Sequence, residues 1–156
     1  MVHRGIATIA MALGVCFLML SHFDPQFFLV HFYESLVYLA IVLMLFYLED
    51  RWAYMMGMVA PAAWLALTVA WGGLLGISHE VALAFHPGNA FFPVGLLTLL
   101  QIILSPVLIV SCAIRWRREF TGLHKGLSTF IISLGVVAVY YAVLVEWILR
   151  WPPASA

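Results

Sequence analysis

Charge is scarce in this chain. Of its 156 residues only 9% are charged, while 65% are hydrophobic. Soluble proteins average about 25% charged and roughly 45–50% apolar residues, so water cannot be the solvent for most of this surface. Seven basic and seven acidic residues leave a formal net charge of zero, which excludes the concentrated basic face that nucleic acid requires. Cysteine is scarce too. Cys16 and Cys112 each lie inside an apolar run with no C-x-x-C pairing, so they read as packing residues rather than a redox pair. Phosphate-cradling glycine loops, nucleophile elbows and zinc-protease signatures are missing. The chain also has no repeat, low-complexity tract or polar linker, and its length suits one domain, residues 1–156.

What the chain has is long apolar runs. In lipid each backbone polar group must be bonded within its own segment, so about 20 consecutive apolar residues read as a spanning helix. Five such runs occur, at approximately 6–20, 27–48, 54–75, 91–114 and 127–149. The expected fold is therefore all-α, an integral membrane bundle of five transmembrane helices. A tight reversal joins the second and third runs at Glu49, Asp50 and Arg51. A longer connection, 76–89, carries Ser78, His79, Glu80 and His86, and its VALAF stretch has the composition of a short interfacial helix. The basic segment RWRREFTGLHK leads into the fifth run. The first run is short and follows His3 and Arg4, as a signal peptide would, but Leu13, Gly14 and Val15 do not form a small-x-small cleavage pattern.

Basic residues set the expected orientation, because short cytoplasmic loops are enriched in Lys and Arg. With five spans and the N-terminus cytoplasmic, Arg4, Arg51, Arg115, Arg117, Arg118 and Lys125 fall on the inner side and Arg150 alone on the outer. Trp52, Tyr54, Trp116, Trp147 and Trp151 mark segment ends, where an amphipathic ring prefers the headgroup level. Such a bias suits a bacterial plasma membrane. Gly57, Gly72, Gly73, Gly76, Gly135 and Ala142 offer small-residue faces for close helix packing.

The polar residues inside these runs need partners, since an ionisable group at a helix centre costs about 2.5–3.5 kcal/mol on insertion scales. On the second run His31, Glu34, Ser35 and Tyr38 stand at i, i+3, i+4 and i+7, one stripe at 3.6 residues per turn. On the fourth, Thr98, Gln101, Ser105 and Cys112 form a matching face, with Pro106 able to loosen the helix beside Ser105. Trp64, Thr68 and Trp71 line up on the third, and Tyr140, Tyr141 and Glu146 lie on the fifth. In the expected topology His22, Asp24, His31, Glu34, His79, Glu80, His86 and Glu146 all belong to the outer half.

Three readings follow. First, with no catalytic motif and no soluble domain, the chain suits a structural or accessory subunit that packs in a larger membrane complex, its partners being lipid and other membrane subunits or itself. His31 and Glu34 then pair on their own helix, and the outer histidines are loop residues. Second, it suits a membrane enzyme or carrier with chemistry in the outer half. Glu34 and His31 are the catalytic candidates, and a quinone headgroup relaying protons would meet His31, Tyr38, Gln101 and Trp71. A metal would draw on His22, His31, Glu34, His79 and His86, with His79 or His86 as a lid from the long connection. Third, an oligomeric channel or transporter would use the stripe from His31 to Tyr38 with Gln101 and Ser105. A haem needs two histidines on facing spans, and only His31 is well inside one. Met55, Met56 and Met58 open a helix where methionine packs.

Overall fold

With hydrogen bonds closed inside each segment and side chains apolar on nearly every face, the chain has little alternative to helix. The computed structural model describes residues 2–47, 50–85, 88, 91–120 and 123–150, and for residues 2, 3, 50, 71–77, 80, 83 and 123–125 the backbone alone. Five helices account for them: α1 (Val2–Phe23), α2 (Phe28–Tyr47), α3 (Asp50–Leu83), α4 (Phe92–Glu119) and α5 (Leu123–Arg150). A short 3₁₀ turn, Pro25–Phe27, feeds α2. Prolines stand in the opening turns of the 3₁₀ segment and of α4, where a missing N–H costs nothing and the fixed φ already suits a helix. All five helices contain a stretch long and apolar enough to cross a membrane: Arg4–Phe23, Pro25–Tyr47, Arg51–Ala70, Phe92–Glu119 and Gly126–Arg150.

Two boundaries differ from the sequence expectation. Residues 76–83, expected in a connection, continue α3 to Leu83. No proline follows Pro61 within this helix, and extending an existing helix is far easier than nucleating a new one. The polar residues Ser78 and His79 therefore ride on the helix, and the expected interfacial segment VALAF is its last turn, closed by bonds from the Ala84 and Phe85 N–H groups to the Val81 and Ala82 carbonyls. Likewise Arg115–Glu119 belongs to α4, held by an i,i+4 contact of 3.2 Å between Arg115 and Glu119. The helix stops where the Phe120 N–H caps the Trp116 carbonyl.

Helices α1 to α4 close a ring in chain order: α1 packs on α2, α2 on α3, α3 on α4 and α4 back on α1. Outside the ring, α5 lies along α3 and touches α2. Each ring helix turns one stripe inward at near-helical spacing. On α1 it is Ile6, Ala10, Leu13, Phe17 and Leu20; on α2, Glu34, Tyr38, Ile41 and Leu45; on α4, Thr98, Gln101, Ser105, Leu108 and Cys112. Phe17 fills the middle, stacked on Tyr38 at 5.4 Å between ring centroids and edge-on to Trp64 at 5.5 Å. These are favourable aromatic geometries, and they tie α1 to both α2 and α3.

Small residues set how closely the helices approach. A Cβ placed on Gly57 would lie 2.7 Å from the Cys112 sulfur, so α3 and α4 touch there only because that Cβ is missing. At Gly14 a Cβ would meet Tyr38 and the Ser35 carbonyl at 3.5 and 3.7 Å, an ordinary contact that leaves room for a methyl group. The expected small-residue face on α5 is not one: nothing lies within 4 Å of a Cβ on Gly135, and Ala142 is exposed. The outward faces are apolar throughout, with Met11, Leu39, Val110, Ile131 and Val139 each about half or more exposed.

Candidate functional site

At the end of the bundle where α1 passes into α2, the chain brings three titratable groups into a row. Asp24 stands just before the 3₁₀ turn, and its carboxylate lies 3.8 Å from Nε2 of His31. The other ring nitrogen, Nδ1, lies 3.2 Å from the Glu34 carboxylate. One helical turn separates His31 from Glu34, so the pairing follows directly from the i,i+3 spacing. Nδ1 is within hydrogen-bond reach of Glu34, whereas Nε2 faces Asp24 at ion-pair distance only.

The three groups differ in access. Asp24 and His31 are partly exposed, whereas Glu34 is 7% exposed, about 9 Å along α2 from its first residue at 1.5 Å per residue. The Trp64 side chain of α3 lines the same space as Glu34. The buried carboxylate thus has its hydrogen-bond partner in His31, one turn away on the same helix, as a buried polar group requires.

Glu34 also opens onto a cavity of about 480 Å³. Its walls are Phe27 and Val30 of the α2 entry, Trp64, Leu67 and Thr68 of α3, and Leu144, Val145, Ile148 and Leu149 of α5. The Thr68 hydroxyl is turned back to the Trp64 carbonyl at 2.9 Å, so Glu34 is the principal polar group left facing the space. A second space of about 420 Å³ adjoins it along the same α2–α5 seam and reaches Pro25 and Trp147. Further along α2 and α5, Tyr33 and Tyr140 join the two helices, their rings stacked at 4.2 Å and 15°. Each hydroxyl donates to the main-chain carbonyl of the other residue. Tyr141 ties α5 to α3 through the Ala60 carbonyl at 3.5 Å. No family model, curated protein or solved structure matches the chain.

The sequence candidates divide accordingly. His31 and Glu34 meet at the cavity. Tyr38 and Gln101 lie deeper in the ring and do not line it. Trp71 is on α3, with its side chain outside the described residues, and His86 lies outside them altogether. His22 is exposed and rests edge-on against Phe23, its ring centroid 5.3 Å away. His79 is exposed on α3, fifteen residues beyond Trp64 and so roughly 22 Å along the helix axis from it; it is no lid for Glu34. Among the described residues no three His, Cys, Asp or Glu side chains are grouped to hold a metal ion. Glu146 pairs outward with Arg150 at 2.5 Å. Sequence reading misses Tyr33 and the α5 residues of the cavity wall, for which the sequence carries no signal beyond apolar periodicity.

Proposed function

We propose that the protein is an integral membrane bundle of five spans that binds a membrane-soluble molecule with a hydrogen-bonding head, of the quinone class, in the seam between α2, α3 and α5. The decisive feature is Glu34: a buried carboxylate, already hydrogen-bonded to His31, at the edge of an otherwise apolar cavity. Ligand sites commonly have this form, a few convergent polar groups on apolar walls enclosing about 300–1,000 Å³. A quinone ring would lie against Phe27 and Trp64 with one oxygen toward Glu34, and its tail would run along Leu144, Ile148 and Leu149 into the adjoining space. Glu34 in its protonated form donates to a quinone oxygen. His31 and Asp24 pass the proton between Glu34 and the aqueous end.

These residues supply binding and a proton, not electrons. A redox cycle would draw its electrons from a neighbouring protein, which agrees with an accessory place in a larger membrane assembly. The apolar outward faces of all five helices support the membrane setting, because a helix apolar all round is either buried or in lipid. The distribution of Lys and Arg supports a cytoplasmic N-terminus in a bacterial plasma membrane. The channel reading has less support, since inward of Ser105 the ring is closed by Ile41, Leu45, Leu108 and Cys112.

Titration of the purified protein with a short-tailed benzoquinone analogue, followed by tryptophan quenching, tests the proposal. Saturable quenching is expected, weakened about tenfold in Glu34→Met, which removes the donor, as for loss of roughly 1.4 kcal/mol of hydrogen bonding. Equal affinity in the two proteins, or no saturation, rules it out.

A further inference from the structure

Inside the helix ring, away from the cavity, three polar side chains are wholly buried and unsatisfied. Tyr38 and Ser105 are 0% exposed and Gln101 is 1% exposed. The Tyr38 hydroxyl, the Ser105 hydroxyl and Nε2 of Gln101 have no hydrogen-bond partner among the described residues. The three groups share one region. Gln101 and Ser105 are one turn apart on the inward stripe of α4, and Tyr38 stands on the inward stripe of α2 within the same ring. Pro106, next in the chain and inside the helix, has no N–H to return to the Ile102 carbonyl, which adds a main-chain acceptor on the same turn.

Three such atoms left bare would each cost on the order of 1–3 kcal/mol, and buried polar atoms that protein does not satisfy are ordinarily satisfied by ordered water. We infer that Tyr38, Gln101 and Ser105 bind ordered water at the centre of the ring, which extends the Glu34 site inward by one helical turn. The donor and acceptor inventory fits. Each hydroxyl both donates and accepts, the glutamine NH₂ donates, and the Ile102 carbonyl accepts, so a water among them has the two to four partners it needs. No charged side chain is among these groups, so the site suits a neutral polar ligand and not an ion.

Tyr38 follows Glu34 by four residues on the same face of α2. Where Glu34 exchanges protons with a bound headgroup, a role that rests on the function proposed above, the water becomes the inner terminus of that relay. It is a blind terminus, because the next layer inward is Ile41, Leu108 and Cys112, all buried. The relay therefore exchanges protons with one side of the bundle.

The chain has only two glutamines, Gln26 and Gln101, and this gives a direct test. In nanodiscs containing protein labelled with ¹⁵N at its glutamine side chains, magnetisation transfer from water should reach both amides: Gln26 because it is exposed, Gln101 because of the bound water. Loss of one signal in Gln101→Met assigns the pair. In Tyr38→Phe and in Ser105→Ala, transfer to Gln101 should fall severalfold while Gln26 is unchanged. A silent Gln101 amide beside an active Gln26 in the folded wild-type protein overturns the inference, as does undiminished transfer in both variants. The quinone titration reads the seam alone, so failure there leaves this water site standing, and failure here leaves the seam standing.

Discussion

Tyr33 and Tyr140 hold α2 and α5 together by a reciprocal clasp: their rings stack at 4.2 Å, and each hydroxyl donates to the carbonyl of the other residue. Because α5 otherwise rests on α3 and only touches α2, the clasp is the principal tie across the seam. Tyr140→Phe keeps the ring and removes one donor, so a loss of about 0.5–1.5 kcal/mol is expected. Thermal unfolding in mild detergent should show a lowered midpoint, and limited proteolysis should cut near the start of α5 sooner than in wild type. Unchanged values in both would show that the clasp does not secure the helix.

His31→Ala takes from Glu34 its hydrogen-bond partner on α2. Removing one partner of a buried acceptor costs about 1–3 kcal/mol, so the variant should unfold earlier in a denaturant series. Benzoquinone binding should weaken with it. Replacing His79 by Ala should alter neither, given its position on α3.

Gly57→Ala puts a methyl group against the Cys112 sulfur. Overpacking of this kind costs roughly 1–3 kcal/mol, and the double variant Gly57→Ala/Cys112→Ala should recover much of it. The coupling is read as the difference between the double variant and the sum of the singles. A purely additive result would mean that the two helices simply shift apart.

The blind inner end of the ring predicts that liposomes bearing the protein, clamped with a potassium ionophore, leak protons no faster than liposomes without it. A leak abolished by Glu34→Gln would mean that the path continues through the layer of Ile41, Leu108 and Cys112.

The proposed topology predicts opposite sides for the two termini. Reporter fusions after Arg4 and after Arg150 should give cytoplasmic and external signals respectively. The same sign from both would change the number of spans.

Much of this arrangement is legible from spacing. The i,i+3 pair of His31 and Glu34 forms as its period requires, and Thr98, Gln101, Ser105 and Cys112 share one buried face because one face is where a period near 3.5 puts them. What spacing does not encode is which helix meets which. Tyr33 and Tyr140 are 107 residues apart, and nothing local to either announces the other. Gly135 and Ala142 resemble a packing face but turn outward, because in a chain apolar on every side composition no longer separates inside from outside. The end of α3 is hidden for a related reason: the polar residues at 78–80 look like a loop, yet no helix breaker stands among them.

That last helix has a mechanical consequence. Between Pro61 and Leu83 it runs without another proline, and His79 lies fifteen residues, about 22 Å, beyond Trp64 along it. Trp64, Leu67 and Thr68, the α3 wall of the cavity, belong to the same rod. A contact made on α3 near His79 is carried along that rod to the wall, so a protein gripping the far end of α3 would widen or narrow the seam without entering it.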